Sequence, residues 1–123
     1  MEAKVIISEE RKKELKQKFL DAFVVAISEP LKWRVIVNTT VKDSDPEDMS
    51  MTHDPDTGED KDGFVYYMVD RSTGDNDLFV GGWWISSSDG DSKGKDMQEP
   101  EVIAYINKLI DDGMVENLYA ETY

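Results

Sequence analysis

Phe64-Val-Tyr-Tyr-Met-Val-Asp70 and Leu78-Phe-Val-Gly-Gly-Trp-Trp-Ile-Ser86 flank the link Arg71-Ser-Thr-Gly-Asp-Asn-Asp77. The two flanking runs are rich in β-branched and aromatic residues, which suit a pleated, half-buried surface. The link has turn chemistry throughout, since Gly, Asn and Asp tolerate left-handed backbone and bond their own main chain. Together they predict an antiparallel hairpin. Alternation sends Trp83 and Trp84 to opposite faces, unless the glycines before them insert a bulge. One ring is expected in the core and the other on the outer face or against a second helix. A ring beside bare glycine backbone is also the type of residue that anchors a protein partner, so Trp83 and Trp84 are candidate contact residues.

Working outward, residues 33–41, Trp-Arg-Val-Ile-Val-Asn-Thr-Thr-Val, read as another strand. Before it, Leu15, Phe19, Ala22, Phe23, Ala26 and Ile27 recur at spacings of three and four, the period of a helix. Ser8 offers its N-cap, Glu9 and Glu10 suit the positive end of the dipole, and Pro30 ends it, so a helix is expected over 9–28. Residues 19–27 are apolar nearly all round and are expected to be buried; residues 11–18, with Arg11, Lys12, Lys13, Lys16 and Lys18, are expected to be wet. After the hairpin, 87–99 reads as a loop. Pro100 suits a first helical turn, Val102, Ile103, Ile106, Leu109 and Ile110 form an apolar stripe, and Gly113 falls just past the helix end. The tail 114–123 offers a last short strand through Val115, Leu118 and Tyr119, and residues 3–7 a strand or arm. The expected fold is a single α+β domain over 1–123. It has a small antiparallel sheet of three to four strands and two helices on one face, in the order α-β-β-β-α, with short strands also open at either terminus.

Charge dominates the composition. Acids number 27 against 14 bases, a net of −13, and the imbalance is uneven: residues 1–20 carry 4 acids and 6 bases, the remainder 23 and 8. Such a field repels nucleic-acid phosphates and anionic membranes and attracts basic protein surfaces or cations. Eleven of the 14 bases are lysine, which argues against a salt-adapted surface. The absence of cysteine removes disulfides, thiol nucleophiles and cysteine zinc sites, and favours a reducing, cytoplasmic setting. The N-terminal apolar run is too short for a signal peptide, and no run approaches the roughly 18 apolar residues of a membrane helix.

Nine of the acids crowd residues 42–63, a long polar loop. Asp43, Asp45, Glu47, Asp48, Asp54, Asp56, Glu59, Asp60 and Asp62 are the candidate contact acids there. Acids two apart recur through the chain, also at Asp75 and Asp77, Asp89 and Asp91, and Glu99 and Glu101. The plainest reading is that Asp favours turns and solvates them. In an extended chain such pairs stand roughly 6.6 Å apart, about twice the charge spacing along a DNA strand, so a row of them could imitate a phosphate backbone. A calcium loop is the other reading. With Asp89 in its first position, Asp91 falls third and Gly94 sixth, but Lys93, Met97 and Pro100 occupy ligand positions five, nine and twelve. Asp89 and Asp91 are therefore no more than a weak metal site.

Catalytic patterns are poor. The single histidine, His53, lies in the acidic loop without an evident base partner or cleft. Pro55-Asp56 with Asp91-Ser-Lys93 imitates a nuclease motif, but its second half falls in a loop. No glycine-rich phosphate loop or nucleophile elbow is present. The expected function is non-enzymatic: an acidic interaction module, whether inhibitor, immunity protein or DNA mimic, that occupies a basic surface such as that of a nucleic-acid-binding protein. It would bind neither nucleic acid nor membrane directly and need no cofactor. The alternative is a module binding a divalent cation or small ligand through the Asp-rich loops, and the third reading is a small enzyme.

Overall fold

The computed structural model describes residues 8–42, 53–60, 63–88 and 92–122, with the backbone alone for 92–95. Residues 3–7 lie outside the described residues. The first helix, α1 (Glu9–Ser28), begins where the sequence places it: the Ser8 hydroxyl accepts from the Arg11 amide at 3.1 Å, and Glu9 and Glu10 occupy the first turn. Strands β1 (Trp33–Lys42), β2 (Phe64–Thr73), β3 (Phe79–Ser87) and β4 (Ser92–Met97) follow, then α2 (Glu99–Asp111) and β5 (Val115–Thr122). All neighbours pair antiparallel in the order β4-β3-β2-β1-β5. The first four strands are a meander, and α2 carries the chain from one sheet edge to the other.

The fold is α+β, but the sheet has five strands where three to four were expected. The sequence of β4, Ser-Lys-Gly-Lys-Asp-Met, has no apolar alternation, because an edge strand need not bury one of its faces continuously. The tail strand β5 lies beside β1, with Val115 and Leu118 fully buried. Gly113 adopts a φ of +74° just past α2, a left-handed conformation that lets the chain turn back into β5.

Both helices cover one face. Leu15, Phe19 and Phe23 of α1 and Val102, Ile106 and Ile110 of α2 close over Val35, Val37, Val69, Trp83 and Ile85. Each fully buried side chain of this size contributes roughly 1.5–3 kcal/mol. Phe19 stacks on Phe23 at 5.4 Å between centroids, and Phe23 meets the Trp83 ring edge-on at 4.9 Å. One expectation fails here. Residues 19–27 are not buried all round: Leu20, Val24 and Val25 remain exposed, because no second layer of the fold covers the outer side of α1 among the described residues.

The β2–β3 pairing carries a bulge. Arg71 faces Trp83 while Thr73 faces Phe79, so β3 spends two extra residues opposite Ser72. Gly81 takes a φ of +90° there. At Gly82 an added Cβ would lie 2.9 Å from the Asp96 Cα, so the missing side chain lets the β4 backbone cross at close range. The Asp96 amide then donates to the Ser72 hydroxyl at 3.3 Å. Despite the bulge, Trp83 and Trp84 keep opposite faces. Among the described residues no helix is long and apolar enough to cross a membrane.

Candidate partner-binding face

The face of the sheet turned away from the helices is laid out by strand register. Tyr119, Ile36, Met68 and Ser86 form one cross-strand row, and Asn117, Asn38 and Tyr66 the next. On the other side Glu121 faces Arg34 and Asp70 faces Trp84, with Arg34 and Asp70 one step beyond the Val35–Val69 pair. That row therefore reads acid, base, acid, indole. Arg34 donates through Nε and Nη2 to Glu121 Oε2, each at 2.8 Å, which neutralises the β5 end. The β3 end keeps Asp70 beside Trp84. Asp70 accepts from Arg71 at 3.2 Å.

Of the two indoles, Trp83 is 1% exposed and Trp84 39%. Trp83 therefore leaves the contact set, because its ring is held between Phe23 and Phe79 in the core. Trp84 remains. Toward the hairpin tip, Leu78 and Val80 are 63% and 56% exposed. The tip itself is a single 3-10 turn, Asp75–Asp77, in which Asn76 and Asp77 adopt left-handed φ values of 67° and 60°. Asp75 and Asp77 are exposed and have no cationic partner among the described residues. Leu78, Val80, Asp75 and Asp77 were not among the expected contact residues; the sequence sets apolar residues next to turn acids here, and only the fold shows that they are exposed.

Of the acidic loop, Asp54, Asp56, Glu59 and Asp60 are described; Asp43, Asp45, Glu47, Asp48 and Asp62, and the weak metal pair Asp89 and Asp91, lie outside the described residues. Residues 53–60 are not a slack loop but a small closed turn. His53 bridges Asp60, the Asp54 amide donates to the Glu59 carbonyl at 2.8 Å, and the Gly58 amide donates to the Asp54 carbonyl at 2.8 Å. Asp-Pro-Asp-Thr-Gly is a strong turn sequence, with Pro at the second position. The turn is fastened to β5 and α1. Asn117 Nδ2 donates to Asp54 Oδ2 at 2.8 Å, Lys18 Nζ donates to Asp56 Oδ2 at 2.6 Å and to Asn117 Oδ1 at 2.8 Å, and the His53 amide donates to the Tyr119 hydroxyl at 3.4 Å. Partial burial pushes the Asp54 carboxyl up. The amides of Asp56 and Thr57, the Asn117 side chain and the Lys18 charge outweigh it, so its pKa is lowered from the ordinary aspartate value.

These engagements change the acid array. Three of the four described loop carboxylates, Asp54, Asp56 and Asp60, are turned to Asn117, Lys18 and His53. The acid pairs that can be followed, 54 with 56, 75 with 77 and 99 with 101, lie in turns or in a helix. Their spacing is therefore not that of an extended row. Among the described residues no three metal-ligating side chains converge.

Sequence reasoning missed one feature of this face. A half-open cavity of about 240 Å³ lies over the β5 end, lined by Arg34, Ile36, His53, Asp60, Tyr66, Met68 and Glu121. The alternation Arg34, Ile36, Asn38 along β1 could have pointed to it. His53 Nδ1 stands 3.4 Å from Asp60 Oδ1, and both side chains are exposed. Within the neighbouring row the Asn38 side chain is 1% exposed, and neither its oxygen nor its nitrogen has a partner among the described residues. No family model matches the chain, no curated protein matches its sequence, and no solved structure matches it.

Proposed function

We propose that this chain is an acidic interaction module that occupies a basic surface on a target protein, acting as an inhibitor, an immunity protein or a mimic of DNA. The observation that carries the reading is the β3 side of the outer face. Leu78, just before β3, and Val80 and Trp84 within it are exposed, and the exposed acids Asp75 and Asp77 stand beside the first two, on a chain of net charge −13. Exposed apolar residues next to exposed turn acids suit a partner with an apolar groove flanked by Lys and Arg. Trp is among the residues that most often carry interface energy. The narrower form, imitation of a phosphate backbone, asks for evenly spaced acids, so support falls on the general reading. The test is to immobilise the chain and present basic nucleic-acid-binding proteins over salt from about 50 to about 500 mM. Binding should weaken at least tenfold across that range, and free DNA should not bind. Equal binding at both ends would exclude charge steering.

The cavity at the β5 end favours a second reading, a module for a small ligand. At about 240 Å³ it sits just under the usual range for such sites, roughly 300–1,000 Å³, so the ligand would be small. A screen for ligands that raise the melting temperature, repeated on Arg34→Ala, checks it.

A further inference from the structure

The two walls of the cavity at the β5 end hold their charges with unequal firmness. Its floor is apolar, formed by Ile36 of β1 and Met68 of β2, which face each other across the strands. On one side Arg34 Nε and Nη2 both meet Glu121 Oε2 at 2.8 Å, so these two charges offset each other. On the other side His53 Nδ1 and Asp60 Oδ1 stand 3.4 Å apart, a loose contact between side chains 60% and 58% exposed. Asp60 Oδ2 has no partner among the described residues. Its position is nonetheless fixed, because the 53–60 turn is closed on itself and tied to β5 and α1. Tyr66 adds an aromatic ring to the lining. With the histidine neutral, the lining holds one base against two acids, a net of −1.

We infer, resting on the small-ligand reading, that this cavity takes a small organic cation: a primary amine carried on a short apolar body. The body covers Ile36 and Met68, whose apolar surface it removes from water. The ammonium lies at Asp60, the one carboxylate of the lining without a close cation, and the Tyr66 ring adds the attraction of a π face. Arg34 does not oppose the cation, because Glu121 matches its charge. The field of the whole chain acts in the same direction, since at −13 it draws cations and repels anions. A carboxylate of the same shape would face Asp60 and an arginine already engaged. A neutral molecule of that shape would gain the floor alone. The volume of about 240 Å³ limits the body to about one ring.

Proton–nitrogen correlation NMR on the labelled chain tests this, with phenethylamine, phenethyl alcohol and phenylacetate titrated separately to millimolar concentration at constant ionic strength. Phenethylamine should shift the amides of Ile36, His53, Asp60, Tyr66 and Met68 along one saturating curve. The alcohol should bind there about fivefold more weakly, and phenylacetate more weakly still. Asp60→Asn should weaken the amine about fivefold and leave the alcohol unchanged, and its spectrum shows whether the fold is intact. Glu101→Gln, which removes an equal charge from α2 on the opposite face of the sheet, should change neither. An alcohol or carboxylate that binds the cavity as tightly as the amine overturns the inference and leaves the small-ligand reading standing. Amine binding indifferent to Asp60→Asn, or equally sensitive to Glu101→Gln, also overturns it, since the attraction would then be that of the chain at large. If none of the three reaches the cavity the inference falls, and the melting-temperature screen decides the small-ligand reading on its own.

Discussion

The 53–60 turn and the 74–78 tip are both short, Asp-rich turns, yet they put their charge to opposite uses. In the first, carboxylates reach inward to Asn117, Lys18 and His53, and one of them has its pKa lowered. In the second, Asp75 and Asp77 stand out at left-handed or turn backbone, next to the exposed Leu78 and Val80. The difference lies in what is within reach. The first turn falls against β5 and α1, where Asn117 and Lys18 are waiting. The second projects beyond the end of the sheet. An acid count therefore does not locate the outward field; the partners left over by the fold do. The largest effect should come from inverting this contrast. Asp75→Asn with Asp77→Asn should weaken capture of a basic partner by about tenfold or more. Asp56→Asn with Asp60→Asn, which removes the same charge from the fastened turn, should change it by less than about twofold. Surface plasmon resonance on both variants measures this, and equal losses would erase the distinction between the two turns.

The tip depends on the bulged end of β3, and Gly82 is its narrowest point. Gly82→Ala places a Cβ 2.9 Å from Asp96 Cα, and the obstacle is backbone, which cannot rotate away. We expect a loss of about 1–3 kcal/mol, read from the denaturant midpoint. Partner binding should fall with it, because the tip, β3 and β4 share that bulge. A neutral result would mean that β4 can lift off the sheet at no cost.

How far the sequence could be read follows from which signals are local. The helix over 9–28 and the hairpin on either side of Arg71–Asp77 rest on apolar period, cap and turn chemistry, all carried by neighbouring residues, and both appear in the fold. β4 carries no such signal, since an edge strand of Lys, Gly and Ser takes its conformation from the strand beside it. The fate of residues 19–27 was misread for a related reason. Composition shows that the segment is apolar, but only the packing shows that one side alone meets the core. The same holds for the site. Trp84 was legible as one of two, whereas Arg34, Ile36, Tyr66, Met68 and Glu121 come together only through the register of β5, β1 and β2.

The fastened turn offers the smallest but best-defined test. Lys18 donates to Asn117 Oδ1, and Asn117 Nδ2 donates to Asp54 Oδ2, so the Asn117 amide is oriented by a cation at one end and a carboxylate at the other. Asp54→Asn puts an amide donor against the Asn117 donor, and Asn117 cannot flip without turning its nitrogen toward Lys18. The variant should lose about 1 kcal/mol at neutral pH. The sign with pH follows from the lowered pKa of Asp54. A carboxylate depressed in the folded state contributes stability fully present above its unfolded value, about 3.9, and lost as pH falls from there through the folded value. The gap between wild type and Asp54→Asn should therefore hold from neutral pH to about pH 5 and shrink below about pH 4. Denaturant titrations at several pH values measure it. A gap that stayed constant into the acid range would show that the carboxylate's charge contributes nothing, and that the turn is held by backbone geometry alone.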